Sequence, residues 1–241
     1  MKAKSTLRRF LTALCALGIS AGFANAAVLY FDDFTTGTSG ALNGQALVTP
    51  TTTTWSASNW QKNTTTGSAT NPSASGSAMV PIGFSAGDVV TATARVVNNT
   101  TGSNWVAFGF SNGSIATNGG GGRNWTSWRG DDVLRVHSNN ATVVFNSDLS
   151  FKQAGESNTL DLRVVYDFDA GSMSWLYKNP SASSWTQYFT TTSLTSGMTH
   201  VGFANTANNV AVQSFEVTVI PEPAAALLGG LGMLVLLRRR R

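Results

Sequence analysis

The sequence predicts an all-β protein, a single β-sandwich flanked by a helical leader and a short apolar tail helix, and three observations predict it. Apolar and polar residues alternate with a period of two over many short stretches, the pattern of strands with one buried and one wet face. Gly-, Asn-, Ser- and Thr-rich segments divide these stretches, and about a dozen short strands so spaced mark a sandwich or barrel. Between the two ends of the chain, no stretch carries the 3.6-residue apolar period of an amphipathic helix.

The elements follow in order. Lys2, Lys4, Arg8 and Arg9 precede an apolar run from Phe10 to Phe23 that closes on Ala24-Asn25-Ala26. A basic flank, an apolar run and a small-x-small site make residues 1–26 a secretory signal peptide, cut by signal peptidase before Ala27. Cys15, the single cysteine, leaves with it. The exported chain then has no disulfide, no thiolate ligand and no cysteine nucleophile.

The sandwich is expected over residues 27–220. Its plainest strand is 159–169, where Leu160, Leu162, Val164, Tyr166 and Phe168 alternate with Asp161, Arg163, Asp167 and Asp169. Residues 88–97 and 214–219 alternate in the same way, and shorter runs fall at 28–31, 78–82, 105–110, 133–137, 141–145, 173–178, 185–189 and 200–205. Asp169-Ala170-Gly171 and Ser138-Asn139-Asn140 read as hairpin turns, because Gly and Asn tolerate positive φ. Residues 49–77 are low in complexity and read as a decorated segment or a flexible excursion.

The chain ends "VIPEPAAALLGGLGMLVLLRRRR". Fourteen apolar or small residues, Ala224 to Leu237, reach only about 21 Å as a helix, short of the roughly 30 Å of bilayer hydrocarbon. Pro221 and Pro223 bar its extension backwards, and Arg238, Arg239, Arg240 and Arg241 hold its end on the cytoplasmic side. Pro221-Glu222-Pro223, the short helix and the basic end together resemble the PEP-CTERM sorting signal over residues 221–241. The resemblance implies a precursor inserted in the inner membrane, an exosortase-type transpeptidase as partner, and delivery to the cell surface or an exopolysaccharide-rich matrix such as a biofilm. The domain between is similar to the concanavalin-like or laminin-G-like jelly roll, through "VLYFDDF", "WVAFGFS", "LDLRVVYDFDAGSMSWLYKN" and "HVGFANT" followed by "VAVQSFEVTVI".

With the ends set aside, charge changes sign. Of 16 Lys and Arg, four lie in the leader and four in the tail; of 12 Asp and Glu, only Glu222 does, so 8 basic face 11 acidic residues over 27–220. A net charge of about −3 gives no support to nucleic-acid binding, which wants a basic stripe on the folded domain.

Catalytic chemistry finds little footing. The Glu-x-Asp-x-x-Glu strand that the resemblance would bring from jelly-roll glucanases is missing, and the domain's two glutamates, Glu156 and Glu216, have no carboxylate partner at the spacing glycoside hydrolysis requires. Asp167 and Asp169 read as turn residues, and His137 and His200 fall in no triad context. Calcium from loop oxygens is the one cofactor considered, with Asp32, Asp33, Asp131 and Asp132 as candidates. The segment "NGGGGRNWTSWRGDD", 118–132, reads as a loop with two alternatives: Trp125 and Trp128 fold back to close one end of the sandwich, or they stack on sugar faces while Arg123, Arg129 and the aspartates after them fork to hydroxyls. The expected function is therefore a non-catalytic, polysaccharide-binding envelope or matrix protein. The alternative is a polysaccharide hydrolase or lyase with an unrecognised site.

Overall fold

A computed structural model describes residues 26–73, 75–83, 85–113, 122–138, 141–145 and 158–221. The leader expected over 1–26 and the tail expected over 221–241 lie outside the described residues except for Ala26 and Pro221. The sandwich is the unit Ala27–Val219. All of its regular elements among the described residues are strands.

One sheet holds β1 (Ala27–Asp32), β2 (Gly40–Ala41), β4 (Gln61–Asn63), β5 (Ser68–Thr70), β7 (Asp88–Asn98), β12 (Thr159–Asp167), β13 (Ser172–Lys178), β14 (Thr186–Thr191) and β16 (Val210–Pro221). Its order is β14-β13-β12-β7-β16-β5-β4-β2, with β1 also paired to β16. The second sheet runs β11-β10-β9-β8-β15-β6-β3, from β3 (Ser56–Ser58), β6 (Gly76–Pro81), β8 (Trp105–Ser111), β9 (Arg123–Arg129), β10 (Leu134–Ser138), β11 (Ala141–Phe145) and β15 (His200–Asn205). The strand pairs are antiparallel. Neighbours far apart in sequence, such as β7 beside β12 and β8 beside β15, give the sandwich its crossovers.

The period-two reading holds on β7, β12 and β13. On β12, Leu160, Leu162 and Val164 are buried, opposite Val96, Ala94 and Ala92 of β7. On the other face, Arg95 grips the Asp161 carboxylate through two hydrogen bonds of 2.7 and 3.0 Å. That bidentate contact pairs a carboxylate only 5% exposed with a guanidinium. The strand ends at Asp167, two residues before the alternation does, because the Asp167 carboxylate accepts a hydrogen bond from the Ala170 amide and closes the turn. Gly171 completes that turn at φ 55°, where a side chain would be strained.

Residues 49–77 are not a flexible excursion. They form β3, β4 and β5 and the start of β6, and two tryptophans anchor them. Trp55 and Trp60 are both buried and meet Phe203 with ring centroids 5.1 and 4.6 Å away, while Phe215 lies 4.9 Å from Trp55. Low complexity in Thr and Ser concealed an aromatic plug, since rings of this size dominate the energetics of a core wherever they are buried.

Beside that plug lies a buried ion pair. Asp32 and Lys62 meet at 3.2 Å with their side chains 0% and 1% exposed. The carboxylate also accepts hydrogen bonds from Trp55 Nε1 and the Phe34 amide, each at 2.8 Å. Phe34, at φ 59°, is turned by that contact so that its ring enters the core, where it is fully buried.

Candidate functional site: the outer face of β9 and β10

The segment expected as a loop is, over Arg123–Arg129, a strand. β9 pairs with β8 on one side and β10 on the other, so its side chains alternate between the core and the outer face of the sheet. Asn124, Thr126 and Trp128 stand opposite Phe110, Phe108 and Val106 and point inward. Trp128 is fully buried in the main core, Tyr188 OH donates to Thr126 Oγ1 across the sandwich, and Asn124 binds the Thr195 backbone through both its amide oxygen and nitrogen.

Arg123, Trp125, Ser127 and Arg129 occupy the outer face. β8 adds Trp105 beside them, and β10 adds Arg135 and His137, in register with Ser127 and Trp125. The expected stacking pair is therefore split. Trp128 is a core residue, and Trp125, 1% exposed, is covered rather than offered. The Arg123 guanidinium lies 4.6 Å from the Trp125 ring centroid, Trp105 meets it edge-on at 5.5 Å, and His137 does so at 5.9 Å. Underneath, Gly109 lets the strands close: a Cβ there would fall 2.6 Å from Trp125 Cα. Trp105, half-buried, is the tryptophan of this face that retains exposure.

The electrostatics are those of clustered cations. Arg129 pairs with Asp131 at 2.8 Å. Burial lowers the pKa of Arg123, and burial and then the nearby Arg129 charge lower that of Arg135. His137 is pushed down to about 4, first by burial and then by Arg123 and Arg135, so it is neutral near pH 7. Its Nε2 lies 3.2 Å from Ser127 Oγ and its Nδ1 3.0 Å from Thr142 Oγ1. A hydrolytic triad needs a carboxylate on that second nitrogen and an accessible nucleophile. Here a threonine takes the place, and Ser127 is 1% exposed.

The other expected residues have structural partners. Asp32 belongs to the buried pair with Lys62 and Trp55, which leaves it out of reach of a metal ion in solution. Asp33 caps Thr35 through its amide and hydroxyl, and these hydrogen bonds lower its pKa. Asp132 sits at φ 64° in the turn after β9. Among the described residues, no three His, Cys, Asp or Glu side chains gather as a metal site. Asp167 and Asp169 hold the Ala170 and Gly87 amides, as turn residues do. Glu222, Pro223 and the four arginines of the tail lie outside the described residues.

Sequence reasoning missed Trp105, Ser127, Arg135 and His137. Period-two counting from Arg123 through Arg129 would have put three of the four named loop residues on one face; only the cross-strand register brings β8 and β10 to them.

No protein-family profile matches the chain, and no curated protein matches it. Solved structures do. A lectin from Bauhinia forficata in complex with GalNAc aligns at a TM-score of 0.55 and 10% identity, over 82% of this chain and 99% of that one. The sandwich shares the jelly-roll fold of that lectin. Arcelin-5, a lectin-like defense protein from Phaseolus vulgaris, gives 0.52 and 13% over 70% of this chain and 93% of its own. The exoplasmic/lumenal domain of VIP36 in its Ca2+-bound form gives 0.51 and 11%, over 70% and 88%. At such identities the likeness is one of fold, and function must be argued from this chain's own residues.

Proposed function

We propose that the chain is an exported, non-catalytic polysaccharide-binding protein of the cell envelope or extracellular matrix, delivered by its PEP-CTERM tail. The observation that carries the binding half is the outer face of β9 and β10. Arg123, Arg129 and Arg135 share that face with the half-buried Trp105, in register with Arg129, and with Thr142, in register with His137. Guanidinium forks suit vicinal hydroxyls and carboxylates, and an indole face suits the apolar side of a sugar ring. The lectin-like fold agrees with this reading and does not by itself supply it. Carboxylates engaged in turns and ion pairs, and a histidine facing Thr142, favour binding over hydrolysis.

Affinity electrophoresis of the secreted protein through gels containing alginate, xylan or pullulan tests the proposal. Retardation in the alginate gel that Arg135→Gln with Trp105→Ala abolishes, without new reducing ends in any of the three polysaccharides, is the expected result. Unretarded migration in all three gels, or release of reducing ends, would overturn it.

The delivery half rests on the terminus. An exosortase-type transpeptidase is the proposed partner at Pro221-Glu222-Pro223, after signal peptidase has cut between Ala26 and Ala27. Mass spectrometry of the mature protein is expected to find Ala27 first and Arg238 to Arg241 gone. Deleting the four arginines should leave an unprocessed, membrane-retained precursor. Mature protein that still carries Leu237 and the arginines would make the tail a plain anchor.

A further inference from the structure

Where β5 meets β16, with Thr70 opposite Ala211 and Ala69 opposite Val212, the nine-stranded sheet opens into a cleft of about 330 Å³. That lies at the low end of the roughly 300 to 1,000 Å³ of small-molecule sites. Four asparagines line it, Asn71, Asn99, Asn208 and Asn209, and none of its described lining residues is charged.

The frame beneath these amides is fixed by internal hydrogen bonds. Asn71, 2% exposed, donates from Nδ2 to Asn205 Oδ1 at 2.8 Å and accepts from the Ser73 amide at 2.7 Å. Asn205 in turn donates to the Ala207 carbonyl. Across the cleft, the Asn99 amide donates to the Asn209 carbonyl at 3.0 Å, and Asn99 Oδ1 accepts from Asn158 Nδ2 at 2.8 Å. Asn209 holds φ 66°, a conformation asparagine tolerates better than most residues. These contacts engage Asn71 Nδ2 and Asn99 Oδ1, while the Asn99 side chain stays exposed at the cleft. The exposed amides of Asn208 and Asn209 add further donors and acceptors, since each asparagine side chain offers two of each.

We infer that this cleft binds a neutral saccharide unit. A neutral polyhydroxylated ring matches a lining that both donates and accepts without charge. An anion would lose water there without gaining a counter-charge, and an apolar ligand would leave the asparagine amides unpaired. The inference rests on the polysaccharide-binding reading above and gives it a second site, on the other sheet and with the opposite preference: neutral units in the asparagine cleft, acidic ones on the arginine face.

A panel of neutral and acidic oligosaccharides, probed with the secreted protein, separates the two. Asn99→Ala with Asn208→Ala changes two exposed side chains and is expected to weaken neutral oligosaccharides at least tenfold. It should leave acidic ones and Tm unchanged. Asn209→Gly, which keeps the positive φ, is expected to weaken the same neutral set. Neutral binding that survives both variants, or wild-type protein that takes only acidic sugars, would overturn the cleft and leave the broader reading standing. Protein that binds neither class would sink both.

Discussion

Replacing Asp32 tests whether the first strand's acidic pair serves an ion or the core. The carboxylate has three donors: the Lys62 ammonium at 3.2 Å, Trp55 Nε1 at 2.8 Å and the Phe34 amide at 2.8 Å. Asp32→Ala removes all three acceptor contacts at once. It strands a buried ammonium, a loss of about 3 to 5 kcal/mol for a broken buried pair, and orphans an indole N–H, which costs about 1 to 3 kcal/mol more. It also frees Phe34 from the contact that holds its positive φ. Since these terms share atoms they do not add fully, and a net destabilisation of about 4 to 6 kcal/mol is expected. Against a typical stability of about 5 to 15 kcal/mol, that is a large share. Lys62→Met should cost less, because the carboxylate keeps two N–H donors. Asp32→Asn with Lys62→Met should return to within about 2 kcal/mol of wild type, since a neutral pair of similar shape removes both charges together. Urea unfolding of the four proteins, with m-values compared, measures the three differences. If Asp32→Ala falls within 1 kcal/mol of wild type, or the double variant is as unstable as Asp32→Ala, the ion-pair argument fails.

Three further outcomes follow from the site. Trp128→Ala should lose about 3 to 5 kcal/mol whereas Trp128→Phe should lose far less, because the buried indole nitrogen has no hydrogen-bond partner to forfeit; equal losses in chemical denaturation would contradict its place in the core. His137, held near 4 in the fold against an ordinary 6.5, binds fewer protons folded than unfolded. Its contribution is therefore intact above pH 6.5 and is lost as pH falls towards 4, by up to about 3 kcal/mol, and His137→Gln should flatten the Tm–pH profile over that window. Chelation with EDTA should leave Tm unchanged, since Lys62 and Trp55 occupy Asp32 and Arg129 holds Asp131; a fall restored by excess calcium would reveal a site those contacts do not describe.

The strands were legible because burial on one face writes itself into every second residue. Val90, Ala92, Ala94 and Val96 of β7 are fully buried as their alternation demands. Composition misled where it stood in for pattern. Thr and Ser repeats around Trp55 and Trp60 read as flexible, although two buried rings can order a segment whose other residues favour turns. A glycine run before Arg123 suggested a loop through Asp132, although Arg-Asn-Trp-Thr-Ser-Trp-Arg alternates sides once it pairs. The site was half visible for the same reason. Arg123, Trp125 and Arg129 could be placed on one face from sequence, but Trp105, Arg135 and His137 join them only through a register that no local pattern encodes. The asparagine cleft left no local trace, since its walls come from residues 71, 99, 208 and 209.

The ends of the sandwich bear on how export and sorting would meet. β1 and β16 pair antiparallel with Ala27 opposite Val219, so the points where leader and tail join the domain face each other across one strand pair. β16 is no loose edge: it has β7 and β5 as sheet neighbours and β1 as a further partner. It cannot peel away without opening the core around Phe215 and Val217, both fully buried. Only Ile220 separates Val219 from Pro221, and proline, lacking an N–H, cannot donate to a continuing ladder. On the proposed delivery, the transpeptidase would act just beyond Pro221, two residues after the Val219 that pairs with Ala27. On the same proposal, Val28 and Ile220, 50% and 39% exposed, are the large apolar side chains next to the two junctions.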